Sequence, residues 1–408
     1  MIGAITPAEW SEETDPATGR IVRRLTDGRS NSYALYYFTT SVTPDGRYLV
    51  FHSERDGTVQ LYRLDLRTGE IGRLTDGRTR DAGWAIWCEW HLDGIYNHLS
   101  ALRPRSGEVW YFEADEIRAT DVASFANRMV TRLPAGRMPV GQAAFSPDGR
   151  WFGYIHMDEA KFRALLAQRE AETQAGRFDW DRDHHAVFRN ALGATLALVD
   201  TTTGAQQTVI ETDFHFHHVL FVDNDTLLLN HPKGCAGMWL VRRDGTGVRH
   251  IRPAEAAGAH GAAVNHQVVT ARGIAYEAVG PGQNDSRETW LGLYDPASDS
   301  WREARIPVTG YAHVGFDPGG RLEFVENAGT RHELLLVQPA SAPGGPLGLE
   351  VLRTLSSPTH DDQRHHAHPF LSPDRTTLYF TDWSGEGFAQ ICCIDVRDLV
   401  AAADAATP

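Results

Sequence analysis

Cysteine is scarce in this 408-residue chain, which has only Cys88, Cys235, Cys392 and Cys393. The adjacent pair is a poor basis for a disulfide framework, and none of the four has zinc-like spacing. They are read as buried thiols in a reducing compartment. No stretch approaches the roughly 18 consecutive apolar residues of a membrane span. The opening MIGAITPAEWSEETD has neither the basic start nor the apolar run of a secretion signal, so the expectation is a cytoplasmic protein. Positive charge is in deficit: 39 Lys and Arg stand against 53 Asp and Glu, a formal net charge of −14. That argues against unspecific binding to nucleic acid or anionic membrane, because self-repulsion opposes each contact. An acidic ligand would need a locally basic or metal-containing pocket. Also missing are a Gly-x-Ser-x-Gly elbow, a Walker-type phosphate loop and a Rossmann fingerprint.

What is present is a repeated turn. TPDG at 43–46, HLDG at 91–94, SPDG at 146–149, VDND at 222–225, TARG at 270–273, DPGG at 317–320 and SPDR at 372–375 each separate short runs rich in Val, Phe, Tyr, Leu and Ile. A Pro/Asp/Gly turn between β-prone runs is a hairpin signal. Seven such hairpins predict an all-β, seven-bladed β-propeller filling residues 1–408 as one domain. QLYRLD and TGEIGRLTD, within 60–76, supply outer strands of the first blade. Their near copy TGRIVRRLTD, 18–27, has no hairpin before it, while the last blade ends after AQICCIDV, 389–396. The N-terminal copy is therefore expected to add the outer strand of the last blade and close the ring, hiding two open sheet edges. Residues 158–190 have helical spacing and are expected to form an insertion in the third blade.

Counting five residues back from the second position of each turn gives Thr39, Trp87, Gln142, His218, His266, His313 and His368. Equal offsets in equivalent strands imply one shared orientation. Four histidines should thus converge near one mouth of the axial channel. His366 lies two residues before His368 and shares its face; Gln363 could join only if the chain bends before the strand. Neutral imidazoles at short range bind divalent metal, and an amide oxygen would leave a mixed N/O site with open positions. Such a site suits a Lewis acid holding a carboxylate better than a closed structural site. The bland alternative is a solvated histidine-rich loop.

The pattern Q-x-x-H-x-H-P-x-x-S-P-D, here Gln363, His366, His368, Pro369 and Ser372-Pro373-Asp374, resembles that of the oligogalacturonate lyases. The opening EW…TGRIVRRLTD…LYYF…TPDGRYLVF and the stretch NHPKGCAGMWLVRRDGTG are similar as well, so the likeness spans essentially the whole chain. The resemblance implies that His313, Gln363, His366 and His368 hold Mn²⁺ or another divalent metal, which engages a uronate carboxylate. It also implies that His266 removes the C5 proton, giving a 4,5-unsaturated product by β-elimination from an acidic oligosaccharide. His218 is expected in a catalytic or proton-shuttling role. His231, Lys233, Tyr311 and Trp87 are candidate substrate contacts, and Trp383 a further aromatic near the mouth. One departure is Gly237, where the family carries an arginine on the substrate; Lys233 could substitute. Arg242 and Arg243 are expected in solvent, and His98, His156 and His250 carry no signal. Two other readings stand beside this one: a non-catalytic TolB-like propeller binding a protein or ligand, and a metal-dependent hydrolase or isomerase. The sequence leaves the oligomeric state open.

Overall fold

The computed structural model describes residues 1–82, 92–177, 193–216, 218–230, 237–253, 256, 259–260, 263–281, 287–308, 312–315, 317–328, 332–338, 340, 345–356, 364–383 and 387–405. They form seven antiparallel sheets, the blades of a β-propeller. From the axis outward, the first blade runs Ser32–Ala34, Tyr48–Ser53, Gln60–Asp65 and Ile71–Arg73, with Ile5–Thr6 added at its rim. The third runs Arg137–Phe145, Trp151–Asp158, Thr195–Asp200 and Gln206–Glu211. In the fourth to sixth blades the two inner strands are Val219–Phe221 and Thr226–Asn230, Ala263–Thr270 and Gly273–Pro281, and Ala312–Val314 and Phe324–Ala328.

The repeated turns fold for a local reason. In three of them a hydroxyl at the first position donates to the aspartate two residues on: Thr43 to Asp45, Ser146 to Asp148 and Ser372 to Asp374, each at 2.6 Å. The residue after the aspartate then turns left-handed (Gly46 φ 70°, Gly149 φ 71°), where glycine carries no Cβ penalty. Arg375 takes the same conformation, φ 59°, at the cost that a side chain brings there.

The second blade departs from expectation. Its inner strand is Ala101–Leu102, joined to Glu108–Glu113 through RPRSG at 103–107. HLDG at 91–94 does not join two strands of this blade: Gly94 instead bridges Val59 and Thr79. Trp87, counted back from that turn, lies outside the described residues.

Ring closure follows the sequence reading. Ile21–Arg24 pairs antiparallel with Ala389–Asp395 of the last blade, Val22 opposite Ile394, and Ser11–Thr14 adds a further strand outside it. Arg353, on the outermost strand of the sixth blade, locks the seam. Its guanidinium reaches Asp15 at 2.8 Å, Glu13 at 2.7 Å and Asp382 at 3.0 Å. Val22 is fully buried with Phe324, Phe380 and Ile394, whereas Ile21 is 60% exposed. Val22→Asp should therefore cost about 3–5 kcal/mol by burying an unpaired charge, and Ile21→Asp within about 0.5 kcal/mol. Urea unfolding of both variants checks this; equal losses would mean that the strand does not pair as described.

The insertion begins as an α-helix, Glu159–Gln174, capped by Asp158, whose carboxylate accepts from the Lys161 amide at 2.9 Å. A second helix, Arg397–Ala405, follows the last blade. Among the described residues no helix is long and apolar enough to cross a membrane. Cys392 and Cys393 are buried free thiols, and burial pushes both well above the ordinary thiol range.

Candidate metal centre and active site

The inner strands do not run flat past the axis. In the fifth blade Asn265 pairs with Glu277 and Val268 with Ala275, so His266 and Gln267 bulge against one partner residue. His266 sits at φ 51° and His368 at φ 41°, left-handed conformations that non-glycine residues seldom adopt. Bulges re-aim side chains, and strain of this kind persists where the surroundings over-determine it. At His266, therefore, a bulge sets the ring's direction in place of plain strand alternation.

Four rings come together here. His313 lies with its centroid 3.9 Å from His266, 4.5 Å from His366 and 4.8 Å from His368. All four are buried, between 2% and 9% exposed. Beneath them is Glu326, fully buried on Phe324–Ala328 and directly across the ladder from His313. Its carboxylate lies 3.0 Å from His313 Nδ1 and accepts from His366 Nδ1 at 3.2 Å and His332 Nε2 at 3.0 Å. Burial alone would raise Glu326, but the charges of His366 and His313 outweigh it and hold the carboxyl well below its usual range. Burial, reinforced by the neighbouring His266, pushes His313 down to about 3, so that ring is neutral at pH 7. His368 is lowered in the same way, by burial first and then by His313.

His313, Glu326 and His366 place ligating atoms within 4.8 Å of one another. His368 Nε2 is buried with no hydrogen-bond partner among the described residues. An orphaned imidazole nitrogen beside the His313 and His366 rings, with a carboxylate on their Nδ1 side, fits a divalent ion held through Nε2. Glu277 repeats this relation one blade earlier: fully buried, it lies 2.5 Å from His266 Nδ1.

The first blade supplies what the sequence reading missed. Past Ala34 its inner strand leaves the ladder, returning only at the Val42–Leu49 bridge. Thr39 lies in that excursion, not in the strand. Tyr36 and Tyr37 fill the space instead: Tyr37 has its centroid within 5.6–5.8 Å of His218, His266, His313 and His368. His98, assigned no signal, is buried at φ 57° with its ring 6.3 Å from His368. It lies six residues before Pro104, one place off the five-residue offset, so counting from the RPRSG turn would have given Leu99 instead.

His218 is buried and contacts Tyr36, Tyr37 and Asn230. Trp383 is buried: its ring packs 3.6 Å from that of His365, and its indole donates to the His365 carbonyl. Arg243 pairs with Asp225 at 2.9 Å, and Arg242 is exposed. A Cβ at Gly237 would run into His250, whose ring stacks on Trp239 at 4.7 Å, so a larger residue there must displace the imidazole. His231, Lys233, Tyr311, Trp87 and Gln363 lie outside the described residues.

Fold and site together define a β-propeller with a histidine-rich centre near its axis, backed by buried carboxylates. No family model matches the chain. It is 22% identical over 406 residues to an oligogalacturonide lyase of Pectobacterium atrosepticum, covering 92% of this chain and 93% of that one. It is 21% identical to an oligogalacturonate lyase of Dickeya dadantii over 58% of this chain and 56% of that protein. A solved oligogalacturonate lyase in complex with manganese superposes with TM-score 0.78 at 20% identity, over 98% of this chain and 99% of the other. An oligogalacturonate lyase from Vibrio parahaemolyticus gives 0.76 at 18%, over 98% and 100%. Over nearly its whole length the chain is thus similar to oligogalacturonate lyases at low identity, and it shares the fold of the two solved ones.

Proposed function

We propose that this protein is a lyase that cleaves a uronic-acid-containing oligosaccharide by β-elimination with a divalent metal, Mn²⁺ by analogy with the solved relative. The observation that carries the reading is the buried cluster of His313, His366 and His368 over Glu326, next to His266 paired with Glu277. His313, His366 and His368 would hold the ion, with Gln363 as the fourth ligand implied by the family pattern. When bound, the metal neutralises charge developing on the substrate carboxylate as the C5 proton leaves.

The chain's own residues account for the rest. Glu277 accepts the Nδ1 proton of His266, which leaves Nε2 as the basic nitrogen. His266 takes the proton from C5. The electrons of that bond form the C4–C5 double bond, and the C4–O4 bond breaks. The departing oxygen takes a proton, and the products are an unsaturated uronide and a shortened chain. Because the rings are buried, bulk water is held away from the base.

Incubation with trigalacturonate and Mn²⁺ should produce the ultraviolet absorbance of a conjugated unsaturated uronate, and EDTA should abolish it. Reducing ends released without that absorbance would instead mean hydrolysis. Glu326 has its own test. Glu326→Gln keeps the shape but turns one acceptor oxygen into a donor, so His313 or His366 loses its orienting partner. Mn²⁺ affinity should fall about 10–100-fold, measured by calorimetric titration. An unchanged Kd would remove Glu326 from the metal site.

A further inference from the structure

A row of polar side chains crosses the sixth blade from the axis outward. His313 on the innermost strand pairs with Glu326 on the second, and Glu326 pairs with Leu334 on the third strand, His332–Gln338. Side chains alternate along a strand, so His332, two residues before Leu334, shares the face of Glu326 and is its diagonal neighbour. His332 is buried, and its Nε2 lies 3.0 Å from Glu326 Oε1. Its Nδ1 lies 3.4 Å from the Ser356 carbonyl, just past the outermost strand. The Ser356 amide in turn donates to Asp382 Oδ1 at 3.0 Å, which ties the outer end of the row to the last blade.

Both oxygens of Glu326 are engaged. Oε1 lies against His332 Nε2 and His366 Nδ1, while Oε2 accepts from the His368 backbone amide at 3.5 Å and lies 3.0 Å from His313 Nδ1. A carboxylate on which N–H groups converge in this way is an acceptor only, so His332 donates from Nε2. The terminal torsion of a glutamate is broad, with no sharp preference of its own. Held from the inner strand alone, the carboxylate could swing together with the rings it orients. His332 reaches it from the strand on the other side and removes that freedom.

We infer that His332 is a positioning residue of the metal site, holding the Glu326 carboxylate from behind so that His313 and His366 keep their Nε2 atoms aimed at a divalent cation. It touches neither cation nor substrate, because its Nε2 is committed to Glu326. The inference rests on the metal-dependent reading of this cluster and deepens it by one shell.

The expected effect is on metal affinity, measured by calorimetric titration with Mn²⁺. His332→Phe keeps a buried ring but cannot donate, and should weaken binding about tenfold or more, the usual scale for an outer-shell partner. His332→Gln retains an N–H donor and should stay within about threefold of wild type. The pair separates donation from packing, so equal affinities in the two variants overturn the role. His332→Phe combined with Glu326→Gln should bind no more weakly than Glu326→Gln alone, since the first acts through the second. Additive losses would overturn the inference as well.

A measurement on the wild type keeps the test decisive where a variant fails to fold. Long-range ¹H–¹⁵N correlation on metal-free ¹⁵N-histidine protein, with assignment through the His332 backbone, should show a proton on His332 Nε2. An unprotonated Nε2 overturns the inference whatever the variants do. Wild-type protein that binds no Mn²⁺ sinks the metal reading instead, while the spectrum still decides whether His332 holds Glu326.

Discussion

His266→Asn should slow formation of the unsaturated product by about 10²–10⁴-fold, the usual worth of a positioned base, while Mn²⁺ affinity stays within about threefold of wild type. Asparagine is a better probe than alanine here for two reasons. Position 266 is left-handed, φ 51°, which asparagine tolerates better than most residues. Glu277 is fully buried 2.5 Å from the ring nitrogen, so alanine would take away a donor from a buried carboxylate. Such a loss typically costs about 1–3 kcal/mol or more, and a fall in activity could then be mistaken for misfolding. The asparagine amide can still donate to Glu277 but cannot take a proton from carbon. A variant as fast as wild type would remove His266 as the base. Loss of Mn²⁺ binding with the activity would move His266 into the metal site instead.

Acid should unfold the protein at an unusually high pH. His215 and His313 are pushed down to about 3 and His156 to about 4, burial being the first cause each time. His52 and His368 are lowered well below the ordinary range for the same reason. The sign follows from proton counting. In the unfolded chain these rings titrate near 6.5 and in the fold only far lower, so below 6.5 the unfolded state binds more protons and stability drops as pH falls. Each ring removes about 1.4 kcal/mol per pH unit in that window. Between pH 6.5 and 4.5, His215 and His313 alone remove about 5 kcal/mol, comparable with the whole stability of many domains. Glu326, depressed below its ordinary value, adds a loss in the same direction at lower pH.

Tryptophan fluorescence against pH should therefore show cooperative unfolding between about pH 6 and 4.5. Mn²⁺ should move the midpoint lower, because metal and protons compete for the same nitrogens. His156→Leu, away from the metal cluster, should also lower the midpoint by removing one titrating ring. A fold that persists to pH 3 without metal would show that these rings do not control acid stability.

Much of this architecture is legible in the sequence, and the failures have specific causes. The turns could be read because hydroxyl, aspartate and glycine each have a fixed local job there. Ile21–Arg24 could be read because an outer strand without a hairpin has only one place to go. HLDG misled because turn chemistry is local: it marks a bend, and Gly94 does bend the chain, but it does not say which strands the bend joins. The histidines could be read from offsets alone, whereas Glu326, Glu277 and Asn230 could not. Their signal was present, a polar residue in or ending the apolar runs EFVE, IAYE and TLLLN. What a polar residue inside an apolar strand faces depends on cross-strand register, and a single bulge changes it. Tyr36 and Tyr37 escape notice for the same reason: nothing in YALYYF announces that the chain leaves the ladder after Ala34.

The Thr26 hydroxyl donates to Gln390, a partner 364 residues further on. At about 5–20 residues per second on the ribosome, the first-made strand waits tens of seconds for the strand it will pair with. For that time the nascent chain presents a bare backbone at each end of an unfinished circle. Such backbone is what chaperones bind and what neighbouring copies can capture. A translation arrest late in the last blade would be more damaging than the small loss of mass suggests.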